Sequence, residues 1–171
     1  MTDSAIVAFY RGVGTDHAGR RIDDIWSWDA RRLEAVHDYI QWLFPLPDPS
    51  RFNPQAPLLS AADCDAFKAD PDLERRALRS FDLLMEFLGL VRAGDAVVRG
   101  SNFASRAESW LQPLNHNFLR LTRILLFLRH IGLAQQSSAL FTCLCDIAAR
   151  EGLGILDARV IGFWRSAAIE E

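Results

Sequence analysis

Helix caps and helix stops alternate along this chain, and the stretches between them carry apolar residues at helical spacing. That pattern limits the fold more than any other feature. Asp29 caps a segment in which Leu33, Val36, Ile40, Leu43 and Phe44 recur on one face, and Pro45 stops it. This predicts one helix over 29–44. Ser60 with Asp63 reads as a capping box for a helix to about Ala69. Asp70-Pro71 is a cap followed by a first-turn proline. It opens a long helix with Leu73, Ala77, Leu78, Phe81, Leu84, Met85 and Leu88, which Gly89 ends. Residues 90–100, LVRAGDAVVRG, read as a loop or short hairpin. Further helices are predicted over about 102–111, 115–131, 137–150 and 157–168, with breaks at Pro113, Gly132, Gly152 and Gly154. No series of alternating strands appears. The expected fold is all-α: a single compact domain over residues 1–171, of six to eight helices, with a proline-rich loop packed on the first long helix.

The 171 residues suit one domain with a real core. The net charge of −3 lacks the basic surplus of a nucleic-acid binder, so none is expected as partner. The most apolar run, residues 124–128, falls far short of the roughly 20 residues that span a bilayer. There is no transmembrane segment, and peripheral membrane association stays open. Asp3 in the first residues argues against a signal peptide. Cys64, Cys143 and Cys145 are read as three reduced thiols of a cytoplasmic protein. On a helix the last two point about 200° apart, which disfavours a shared metal. No metal or other cofactor is expected. Lys68 is the only lysine among many arginines, a bias of GC-rich genomes that suggests a bacterial source.

No phosphate loop, His-Glu-x-x-His or Gly-x-Ser-x-Gly occurs, so no catalytic motif is found. GVGTDHAG at 12–19 has glycines but no preceding strand, and carries no nucleotide signal. Two helices have an odd face. In 115–131, His116, Arg120 and Arg123 share a stripe, while leucines and isoleucines cover most of the rest. Charges on so apolar a helix need partners. One reading is a solvated stripe, or ion pairs with Asp82 or Glu86. The other is an anion site, with Arg120 and Arg123 gripping a carboxylate or phosphate beside His116, and Asn115 and Asn117 adding amide contacts. In 29–44, His37 and Gln41 flank the core face while Trp42 points off it, with Tyr39 to its other side. Five prolines between residues 45 and 57 follow. They form either a lid over Trp42 and Tyr39, or one wall of a groove lined by Trp42, Phe44 and Phe52 with Arg51 at its rim.

HDYIQWLFPLPDPSRFNPQAPLL at 37–59 resembles the signature of the opioid growth factor receptor conserved domain. FYRG at 9–12, IDDIWSW at 22–28, DLERRALRSFDLLMEFLGL at 72–90 and LNHNFLRLTRILLFLRHIGL at 114–133 resemble further parts of it. The resemblance implies opioid peptide receptor activity. Animal members are described as receptors for methionine-enkephalin, acting on cell proliferation and associated with the nucleus. No catalytic residue carries over. The two most specific stretches coincide with the two odd helices. The expectation is therefore a binding module in which His37, Gln41, Trp42, His116, Asn117, Arg120 and Arg123 contact a small anionic or zwitterionic ligand or a short peptide. Two alternatives stand. One is an enzyme using His37 or His116 as base with Arg120 and Arg123 on an anionic substrate. The other is an interaction protein whose proline-rich loop docks a partner.

Overall fold

The structure, a computed structural model, describes residues 3–151 and 154–169. Gly152, one of the predicted helix breaks, lies outside them. The described residues form α1 (Ala5–Tyr10), α2 (Ile22–Trp26), α3 (Ala30–Ala35), α4 (Ile40–Leu43), α5 (Ala61–Ala69), α6 (Pro71–Leu88), β1 (Leu90–Ala93), β2 (Ala96–Arg99), α7 (Phe103–Trp110), α8 (Asn117–His130), α9 (Ala134–Arg150) and α10 (Ala158–Ala168). The protein is thus mostly helical, with one small antiparallel hairpin, rather than purely α. Ten helices among the described residues exceed the expected six to eight. The surplus comes from α1 and α2, whose few turns are too short to display a periodic pattern, and from a split helix.

That split corrects the prediction of one helix over 29–44. Asp29 does cap α3, its side chain accepting from the Arg32 amide. The helix stops at Val36, whose backbone is extended (φ −95°, ψ 134°), and α4 begins only at Ile40. Tertiary hydrogen bonds explain the gap. The Tyr39 hydroxyl donates to the Leu33 carbonyl, and Asp38 is engaged by His17 and Arg20. The Tyr39 hydroxyl thereby takes the Leu33 carbonyl, which a continuous helix would pair with the residue 37 amide.

The chain forms two compact units, Met1–Leu83 and Leu84–Glu171, with the boundary inside α6. In the first, α1 packs on α5. Ser4 caps α1 and also donates to Asp63, which closes the predicted capping box with Ser60 at the start of α5. A short polar cluster thereby joins two helix ends. The core is aromatic. Tyr10 meets Phe67 edge-on at 4.9 Å and donates to the Leu43 carbonyl, and Phe9 meets Trp42 at 5.3 Å. Trp26 donates to Ser80 at 3.0 Å, and Arg79 lies over its ring at 4.1 Å.

In the second unit, α8, α9 and α10 pack on one another, and β2 packs on α9. Leu121, Ile124, Leu125 and Leu128 of α8 are buried with Leu140, Leu144 and Ile147 of α9 and with Trp164. Trp164 donates to the Phe118 carbonyl at 3.2 Å, and Ser137 to the Leu125 carbonyl at 2.9 Å. Gly89 ends α6 as predicted, with φ +79°. Its carbonyl accepts from Gly100 at 2.8 Å, which closes the hairpin pairing Leu90 with Arg99 and Ala93 with Ala96.

Candidate functional site

The first group of predicted residues belongs to the first unit. Trp42 does not need the proline-rich lid. It is 6% exposed, and its ring is contacted by Phe9 of α1 and by the His17 imidazole, stacked at 6.4 Å between centroids. Tyr39 is buried, with Trp28 edge-on at 5.3 Å. The expected groove wall does not form: Trp42 and Phe44 are core residues, while Phe52 is 83% exposed. Gln41 is buried and anchors the loop, its Oε1 accepting from Asn53 Nδ2 at 3.3 Å. Leu46 and Leu58 close the neck of the loop, and the Leu59 amide donates to the Leu46 carbonyl. The loop is therefore tied to α4, and Phe52 near its tip faces solvent. His37 is exposed on the extended segment between α3 and α4.

Trp42 belongs instead to a relay that the sequence reading missed. Its indole N–H donates to His17 Nδ1 at 3.0 Å. Nδ1 must then be an acceptor, so the neutral ring carries its proton on Nε2, which lies 3.1 Å from Asp38 Oδ2. Arg20 donates to the other Asp38 oxygen at 2.9 Å and to Asp16 at 2.6 Å. Asp16 Oδ1 accepts from the amides of Ala18 and Arg20, folding the turn that Gly19 completes with φ +78°. Burial raises the Asp38 carboxyl, but Arg20 and His17 together outweigh it and hold the group below its ordinary value. The signal was present in TDHAGR: an aspartate four residues before an arginine, with a glycine between, is a turn signature.

The second group sits at the start of α8 in the second unit. His116 occupies the N-cap position and is half-buried. Asn115 Oδ1 accepts the Asn117 amide at 2.9 Å. Asn117 is buried, and its Oδ1 accepts from Arg120 Nη1 at 3.2 Å. Arg120 is only 6% exposed, with its guanidinium carbon 5.9 Å from the Phe87 ring centroid. Arg123, one turn on, is half-buried, and burial pushes its guanidinium down from the ordinary value. The predicted stripe is therefore inward-facing at Arg120, while Leu119, expected to pack, is exposed. This end of α8 gathers an imidazole, a carboxamide and two guanidinium groups. All of them but the amide oxygen favour an oxyanion. Among the described residues, no three His, Cys, Asp or Glu side chains converge as metal ligands, and no helix is long and apolar enough to cross a membrane.

Comparison with known proteins identifies the family. The family model for the opioid growth factor receptor conserved region matches residues 6–166. The opioid growth factor receptor of Rattus norvegicus is 35% identical over 145 residues, which cover 81% of this chain and 25% of the relative. The receptor of Homo sapiens is 36% identical over 141 residues, 77% of this chain and 20% of the relative. The opioid growth factor receptor-like protein 1 of Mus musculus is 37% identical over 109 residues, 63% of this chain and 23% of the relative. The chain thus spans a quarter or less of the length of these relatives. No solved structure matches it. The matched region takes in both odd stretches, from Trp42 to Arg123, and the chain belongs to the opioid growth factor receptor conserved-region family.

Proposed function

We propose that this protein is a ligand-binding module that recognises a small anionic or zwitterionic ligand or a short peptide. The name its relatives carry, opioid growth factor receptor, supports a receptor-like role. The observation that carries the reading is Arg120: a buried guanidinium held by Asn117 and lying over the Phe87 ring. Such a group is already oriented and desolvated, so a carboxylate or phosphate reaching it gains a strong, directional pair without ordering a flexible side chain. His116, Asn117 and Arg123 supply further contacts at the same helix end, and an opioid peptide offers a carboxylate of the required kind. His37, exposed between α3 and α4, is the position of the first group best placed to meet a ligand. Gln41 and Trp42 serve by fixing the loop and the relay around it. Three free thiols suit a reducing compartment such as the cytoplasm.

Calorimetric titration of the intact protein with methionine-enkephalin and with a panel of small carboxylates and phosphates tests this. Arg120→Ala and Arg123→Ala should each weaken the detected affinity by about tenfold or more, the scale of one charge-assisted contact. Unchanged affinity for every ligand in both variants would refute the assignment.

A further inference from the structure

Ser27, Trp28, Asp29, Arg31, Arg32 and Ala35 line an open cavity of about 470 Å³ on the first unit, where the chain passes from α2 into α3. The volume suits a small organic molecule. Its wall is built around Trp28, which is buried and braced edge-on by Tyr39. The Arg32 guanidinium carbon lies over the Trp28 ring, 4.4 Å from its centroid. A guanidinium on an indole face is held by the ring's quadrupole, and this uses none of its N–H donors. The fork of Arg32 is therefore oriented while its donors stay available.

The charges around the cavity point the same way. Several guanidinium groups elsewhere in this unit meet carboxylates: Arg11 with Asp3 and Asp70, Arg20 with Asp16 and Asp38, Arg76 with Asp72. Among the described residues, no such carboxylate partner is found for Arg31 or Arg32. Asp29 is the one acid in the wall, and its Oδ1 is occupied by the Arg32 amide at 2.8 Å. That bond also takes up a donor at the helix start, so the attraction for an anion comes from the two side chains. With two cations and one acid, the lining carries a net positive charge.

We propose that this cavity is a second ligand site, distinct from the α8 cluster, that binds the carboxylate or phosphate of a small organic molecule through Arg31 and Arg32. The remainder of the ligand lies along Trp28 and Ala35. Arg32, fixed on the ring, supplies the bidentate contact, and Arg31 supplies the second positive charge.

The test is nuclear magnetic resonance titration of the intact protein, following backbone amides and arginine Nε–H signals. Benzoate probes a flat carboxylate and inorganic phosphate a bare oxyanion. At least one should give saturable shifts centred on residues 27–35. Arg31→Ala and Arg32→Ala should each weaken that binding tenfold or more with the remaining amide spectrum unchanged. Arg32→Lys, which keeps the charge but loses the fork, should weaken the benzoate response by at least several-fold. Arg31→Gln is the second variant should the alanine forms fail to fold. The proposal falls if neither probe gives saturable shifts here, or if the affinity is the same in every Arg31 and Arg32 variant. It also falls if Arg120→Ala abolishes the response while Arg31→Ala leaves it intact. Absence of any α8 response in the unaltered protein would count against the proposed function and leave this site standing.

Discussion

Asp38 shows how one residue serves both the backbone and the side-chain network. Its carboxylate accepts from Arg20 and from His17, and this ties the 36–39 segment to the turn at Asp16–Arg20. Arg20 and His17 hold its ionisation below the ordinary range against the opposing effect of burial. A carboxyl whose folded value is depressed stabilises the native state above its unfolded value, near pH 3.9, and that contribution is lost as pH falls through the folded value. Asp38→Asn should therefore lower stability at neutral pH and flatten the fall in stability below about pH 4. Urea denaturation across pH 2.5–7 checks this. An identical acid limb in the variant would exclude Asp38 as a contributor. The identity of the relay was hidden in the sequence. His17 and Asp38 are 21 residues apart, Trp42 lies 25 from His17, and only folding shows that an indole chooses the histidine as acceptor.

At the scale of elements, strong local signals were legible. The capping box at Ser60, the Asp70-Pro71 start of α6, the stop at Gly89 and the hairpin after it all follow from side-chain chemistry within a few residues. Gly89 is the sharpest case. It takes φ +79°, and a β-carbon there would approach the Phe103 Cα to 2.6 Å. Gly89→Ala should cost about 1–3 kcal/mol for the left-handed backbone alone, and more for the collision with α7. Chemical denaturation checks it, and a loss below about 0.5 kcal/mol would contradict the close approach. The helix predicted over 29–44 failed for a different reason. Its apolar spacing is helical, yet the bonds of Asp38 to His17 and Arg20, and of the Tyr39 hydroxyl to the Leu33 carbonyl of α3, stabilise an extended Val36. Periodicity reports which side chains are buried; it does not report that a neighbouring loop competes for the backbone.

The whole molecule carries three free thiols, and burial protects them unequally. Burial and the nearby Asp146 push the Cys143 thiol up to about 11, against the opposing Arg99, and burial also raises Cys64 and Cys145. Since the thiolate is the reactive form, Cys143 should alkylate far more slowly than Cys64 or Cys145 at pH 8, and at an ordinary rate only after denaturation. Mass-resolved labelling with iodoacetamide measures this; equal native rates for all three would overturn the burial assigned to Cys143. The candidate site divides along the same line between local and global information. The stripe of His116, Arg120 and Arg123 was visible because helical phase is fixed by sequence spacing alone. That Arg120 turns inward to Asn117 and Phe87, and that Phe52 stands out in solvent while Trp42 is core, depended on neighbours distant in the chain. The cavity at Trp28 had no signal, because an arginine stacked on a tryptophan four residues before it reads as an ordinary exposed helix start. The sequence by itself determined a mostly helical chain, its caps and stops, and the family to which it belongs. Only the tertiary structure decided which aromatic rings are core and which charges are paired, because burial and hydrogen-bond partners are set by packing between segments that spacing along the chain does not encode.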